Sequence, residues 1–168
     1  MELQEAKDKF VQAWGTLGSQ WGINRTMTQI HALLLVSAEP LSADDIMEQL
    51  QISRGNVNMN VRDLIDWGLV FKVLKPGERK EFFSAEKDIW KVFKQVVKER
   101  RRRELEPVFG ILEDVSKVEG NPDNPEYKAF IKPIQDIQKI ASRADSTLET
   151  LTKADENWFF STLLKLLK

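Results

Sequence analysis

Apolar positions recur with a helical period along most of the chain and switch to a strand period once. Near the N-terminus Leu3, Ala6, Phe10, Ala13 and Leu17 alternate spacings of three and four. This heptad-like stripe predicts a helix over about residues 2–20 with a face that needs cover. Asn24 reads as the N-cap of a second helix, residues 25–37, with Ile30, Leu33, Leu34 and Val36 among its apolar positions. Glu39-Pro40 ends it, since a residue before proline is pushed out of the helical region. Ser42 then caps a short helix, residues 43–50, with Asp44 and Asp45 in the first turn where the helix dipole favours acids. After the Gln51-Ile52 turn, Ser53 caps a helix to about Trp67. Its Val57, Val61, Leu64 and Ile65 form a core-facing stripe, and Gly68 stops it.

The period then changes. Residues 69–74 and 79–84 read as two strands around the Lys75-Pro76-Gly77-Glu78 turn, a β-hairpin. A long helix follows over about residues 86–106, ending in Arg100-Arg101-Arg102-Arg103. Pro107 marks a kink or the start of a further helix to about Glu119. Residues 120–125 (GNPDNP) form the clearest loop. Two helices are expected beyond it, about residues 126–141 and 146–167. The last ends in an apolar stretch of Trp158, Phe159, Phe160, Leu163, Leu164 and Leu167. The fold class is mainly α with a small β-hairpin.

The elements of residues 24–84 run helix, short helix, tight turn, helix, hairpin. That is the order of a helix-turn-helix with a wing, whose second helix enters the DNA major groove. Charge sharpens this reading. The 168-residue chain has a formal net charge of only −1, yet residues 51–103 hold 14 of its 25 basic and 7 of its 26 acidic side chains. A basic segment in an otherwise acidic chain is the footprint of a polyanion site. At 100° per residue the buried stripe of the second helix turns Gly55, Asn56, Met59, Arg62 and Asp63 outward, with Asn58 on the flank. Asn reads adenine and Arg reads guanine in the major groove, and a glycine near the helix start admits phosphate close to the backbone. Ser53 and Arg54 open the same surface, and Lys72, Lys75, Arg79 and Lys80 place cations on the wing for sugar-phosphate contact. The Arg100–Arg103 run reads more simply as pairing with Glu99 and Glu104 near a helix C-terminus.

Other chemistry finds little support. Cysteine is absent, which excludes disulfides, thiolate catalysis and Cys-based metal sites. His31 is the single histidine, in an apolar context that suits a core residue, so neither a zinc set nor a Ser-His-Asp relay can be assembled from it. No phosphate-cradling glycine loop occurs. The chain is expected to be no enzyme, to need no cofactor or metal, and to be cytoplasmic, its N-terminal MELQEAKDKF being charged where a leader would be apolar. Of the five tryptophans, Trp67 and Trp90 fit apolar helix faces. Trp14 and Trp21 are the candidates for an effector pocket, since aromatic faces attract cations.

The stretches WGINRTMTQIHALLL, PLSADDIMEQLQISRGNVNMNVRDLIDWGLV, KPGERKEFF and DIW, with the Arg-rich helix end before Pro107, resemble the GbsR branch of MarR-type transcriptional regulators over about half of the chain. The resemblance implies a winged-helix homodimer that controls a promoter. It places DNA reading on residues 53–62 and the wing role on residues 72–80. It further implies that N- and C-terminal helices build the dimer. The expected organisation is a winged helix-turn-helix domain over residues 22–85 and a helical dimerisation region in residues 1–21 and 86–168. The expected function is a ligand-responsive, homodimeric repressor on a palindromic double-stranded operator, with the effector unnamed. The alternative is a winged-helix module that binds protein, for which apolar anchors would replace the Asn, Arg and Gly of the second helix.

Overall fold

The computed structural model describes residues 1–159 and Ser161. The chain divides into two compact units, Met1–Val92 and Phe93–Lys168.

The first unit begins with α1 (Leu3–Gln20), which packs against α2 (Arg25–Val36). The face that α1 buries carries Val11, Gly15 and Gly18, whereas Leu3 is 72% and Leu17 40% exposed. The heptad-like stripe therefore lies beside the packed face. The two glycines explain why: a methyl added at Gly18 would sit 2.6 Å from Thr28 Oγ1, so the Thr28 side chain fills the space that a side chain there would need. Asn24 caps α2 as expected, its side chain accepting from Met27 N at 3.1 Å.

A short strand β1 (Leu41–Ser42) leads directly into α3 (Ala43–Leu50). Ser42 caps α3 in a reciprocal capping box, Asp45 N donating to Ser42 Oγ at 3.2 Å and Ser42 N donating to Asp45 Oδ2 at 2.7 Å. After the turn, α4 (Arg54–Asp66) is capped by Ser53. Ile30, Leu34, Ile46, Val57 and Leu64 from these helices, with Val70 from the sheet, are fully buried and form the centre of the unit.

The hairpin is one half of a larger object. Strands β2 (Val70–Val73) and β3 (Phe82–Ala85) pair antiparallel, Val70 opposite Ala85 and Val73 opposite Phe82. On its other edge β3 accepts β1, giving a three-stranded antiparallel sheet in the order β1-β3-β2. Two residues are too short to leave a periodic signal, so β1 escaped the sequence reading. The second wing strand also starts at Phe82, leaving Arg79 outside the ladder. Past the sheet, Lys87 donates to the carbonyls of Leu34, Leu35 and Ser37 at 2.7–2.8 Å, a cation closing the negative end of α2.

Helix α5 (Ile89–Arg100) runs into a π-helical turn, Arg101–Leu105, and then α6 (Glu106–Ser116). Pro107 has no N–H to donate, and Glu106 N reaches back five residues to Arg101 O, which widens the turn. The loop at residues 120–124 precedes α7 (Pro125–Lys153), which packs on α6 and on the π turn. The break expected between residues 141 and 146 is absent: Pro125–Lys153 is one 29-residue helix, and the chain breaks instead at Ala154-Asp155 before helical residues 156–159. The hydroxyls of Ser146, Thr147 and Thr150 donate to the carbonyls four residues back, at Ser142, Arg143 and Ser146, which keeps the segment helical. Asp145 is used as well, accepting from Arg101 Nη2 at 3.0 Å. Of the apolar C-terminal stretch, Phe160, Leu163, Leu164 and Leu167 lie outside the described residues.

Candidate nucleic-acid interface

The N-cap and outer face of α4 present Ser53, Arg54, Gly55, Asn58, Met59 and Arg62 to solvent. The buried side holds Val57, Val61 and Leu64, so the face follows the expected helical angle. Gly55 faces open space: a methyl added there meets nothing within 4 Å, and internal packing does not call for glycine.

Asn56 and Asn60 depart from the simple polar face. Asn60 is buried, and its Nδ2 donates to Asn56 O at 2.8 Å and to Asn56 Oδ1 at 2.9 Å. Asn56 is half-buried, its side-chain oxygen occupied by this bond. Sequence reasoning missed Asn60. The available signal was its place on the helical wheel, between Asn56 and the buried Leu64.

The wing carries its cations in three different states. Lys72 pairs with Glu81 across the strands at 2.6 Å. Lys75 sits over the Phe82 ring, 4.3 Å from its centroid. Arg79 is exposed, as are Pro76 and Gly77, the latter at φ +83°. Leu74, at 87% exposure, projects from the wing beside them.

Lys80 leaves the wing to meet α3. Its Nζ donates to Asp44 Oδ2 at 3.0 Å, and the other carboxylate oxygen of Asp44 takes the Arg54 guanidinium. The Lys80 hydrogen bond, then the Arg54 charge, hold the Asp44 carboxyl below the usual carboxylate range, and Asp44 in turn raises Lys80. The start of α4 and the base of the wing therefore meet at one side chain of α3. The sequence around Asp44 suggests only a complement to the helix dipole, because nothing in it points to a residue ten positions ahead and another inside the hairpin.

The remaining candidates stand elsewhere. Trp14 is half-buried on α1 with its ring 5.4 Å from that of Phe10, and Trp21, at 55% exposure, follows the end of α1. In the second unit Arg102 and Arg103 both reach Glu99, a buried carboxylate pulled down chiefly by the Arg102 hydrogen bond. Arg100 pairs with Glu104 at 3.0 Å. The arginine run thus pairs with the glutamates that flank it, as its sequence suggested, and Arg101 adds the unforeseen link to α7. Among the described residues no group of three or more His, Cys, Asp or Glu is placed to hold a metal ion, and no helix is long and apolar enough to cross a membrane.

A family model described as MarR family matches residues 21–81. The HTH-type transcriptional repressor GbsR of Bacillus subtilis (strain 168) is 27% identical over 112 residues, 67% of this chain and 62% of that protein. The HTH-type transcriptional repressor OpcR of the same organism is 20% identical over 91 residues, 54% of this chain and 49% of that protein. The chain thus spans between half and about three fifths of the length of these curated relatives. A transcriptional regulator of known crystal structure superimposes with a TM-score of 0.66 at 15% identity, over 88% of this chain and 96% of that one, and shares the fold. In sequence and in the order of its elements, the segment of residues 21–81 is similar to a MarR-family domain.

Proposed function

We propose that the protein is a sequence-specific DNA-binding transcription regulator acting as a homodimer, and that it represses its promoter until an effector binds. The carrying observation is the exposed start of α4. Arg54, Gly55, Asn58, Met59 and Arg62 face outward there, and the wing joins this surface where Arg54 and Lys80 share Asp44. Arg62 and Asn58 are of the types that read base edges. Ser53, Gly55 and the α4 N-terminus suit a phosphate, and Lys72, Lys75, Arg79 and Lys80 suit the flanking backbone. The names of GbsR and OpcR as repressors support the sign of regulation.

The dimer reading rests on α7. Phe130, Pro133, Ile137, Ile140, Ala144, Thr147 and Leu151 follow an alternating spacing of three and four, and Phe130, Ile137 and Ile140 are 44%, 47% and 69% exposed. An antiparallel pairing of two copies about Ile137 and Ile140 would set Asp136 opposite the partner subunit's Arg143, and the reverse. On a palindromic operator the two reading helices of a dimer would enter successive major grooves about 34 Å apart. Trp14 and Trp21 are the aromatic candidates for the effector.

The test is binding of the purified protein to its own upstream DNA and to a scrambled duplex, each at two salt concentrations. Selective binding that strengthens as salt falls is expected. Failure to bind either duplex at low salt would overturn the reading in favour of a protein-binding winged helix, with Met59 and Leu74 as its apolar anchors.

A further inference from the structure

We infer that Arg54 and Lys80 form one backbone-phosphate site and that Asp44 occupies it in the DNA-free protein, competing with DNA and holding down indiscriminate binding; the inference rests on the DNA-binding reading above. The two cations come from different elements, the first turn of α4 and the base of the wing, and converge on a single carboxylate. Each uses its own oxygen, Arg54 on Oδ1 and Lys80 on Oδ2. Such a two-pronged arrangement fits any anion with two outward oxygens, and a phosphodiester presents two non-bridging oxygens in the same way.

The capping of α3 does not need this carboxylate. Its neighbour Asp45 supplies the capping box of α3, whereas the Asp44 side chain remains 43% exposed and touches the two cations. The Arg54 and Lys80 side chains are 62% and 61% exposed, so both can turn outward without disturbing the core. Exposed ion pairs of this kind are weak, and a polyanion displaces them readily. Glu81, paired with Lys72, is the only other carboxylate ion-paired to a wing cation among the described residues. Asp44 is set apart because it ties the wing to the reading helix.

A site masked in this way affects nonspecific DNA most. Phosphate contacts supply nearly all of that binding, while an operator adds base contacts that Asp44 does not touch. Removing the competitor should therefore strengthen binding everywhere and narrow the ratio between operator and random sequence whenever nonspecific binding is the more phosphate-dependent.

The experiment measures the Kd of the full chain for a random 30-base-pair duplex at one low salt concentration, by fluorescence anisotropy. Asp44→Asn is expected to tighten binding about three- to tenfold, the scale of two exposed ion pairs. Asp66→Asn, the same charge change at the far end of α4, should alter it by less than twofold. In an Arg54→Gln, Lys80→Gln background, Asp44→Asn should have no effect. A gain that survives in that background, an equal gain from Asp66→Asn, or weaker binding by Asp44→Asn would each overturn the inference. Asp44→Glu should bind as the wild type does, and circular dichroism melting of each variant separates lost folding from lost competition. A wild-type protein that binds no duplex at all refutes the DNA-binding reading instead.

Discussion

Single side chains separate stability from recognition in this fold. Gly55 has no packing reason to be glycine, so Gly55→Ala should stabilise α4 by up to about 1 kcal/mol in thermal or urea unfolding. The same variant should weaken operator binding, because the added methyl stands between the α4 N-terminus and a phosphate. Arg62→Ala should cost about 1–3 kcal/mol of specific binding and relax the preference at one base position, measured by competition with operator variants. Unchanged operator selectivity would place the reading face elsewhere on α4. His31 sets a pH limit. Burial, and then the Lys87 charge, lower its pKa from 6.5 to about 4, and its Nε2 has no partner among the described residues. The unfolded chain therefore takes up a proton in this window that the folded chain refuses. Stability is full above pH 6.5 and falls as the pH drops toward 4. Between pH 7 and pH 5 the loss from this group is about 2 kcal/mol, and His31→Leu should flatten that part of the urea-midpoint profile.

At the scale of elements, the close contact of α1 with α2 yields a contrast between two glycines. An added methyl at Gly18 meets Thr28 at its β-branched carbon, 2.8 Å away, which cannot swing aside. At Gly15 the nearest neighbour is the Gln29 side chain, which can. Gly18→Ala should cost about 1–3 kcal/mol of stability, whereas Gly15→Ala should be near neutral, the helix-propensity gain offsetting the adjustment. Equal costs would mean that α1 does not seat on α2 through this stripe. These glycines also mark where the sequence ceased to be legible. Caps and apolar periods defined α2, α3 and α4 nearly to the residue, because Asn24, Ser42 and Ser53 each bond the first turn of their own helix. The buried face of α1 was missed because it is defined by absent side chains, and β1 because its signal lies in β3, forty residues away. The division of α7 failed for the opposite reason: Ser146 and Asp145 have cap chemistry, but one bonds backward along the helix and the other is claimed by Arg101. The exposed part of the candidate site was readable from helical angle alone, while its masking by Asp44 depends on tertiary contact.

At the scale of the whole molecule, the exposed stripe of α7 predicts association. Ile140→Glu, at a position 69% exposed in the single chain, should shift the protein toward monomer in sedimentation velocity with little change in helix content. A dimer of unchanged affinity would remove α7 from the interface. Loss of the dimer should weaken operator binding far more than nonspecific binding, since the two half-sites then bind independently.

The smallest strand bears on how the first unit moves. Ser42 belongs to β1, opposite Phe82 of the wing, and is also the N-cap of α3. Fraying of the sheet at that point removes the cap in the same event. In deuterium-exchange terms, the β3 amides that face β1 and those of the first turn of α3 should share one opening reaction and exchange with similar protection. A ligand that loosens the wing would thereby loosen the scaffold of the reading helix, without any separate hinge.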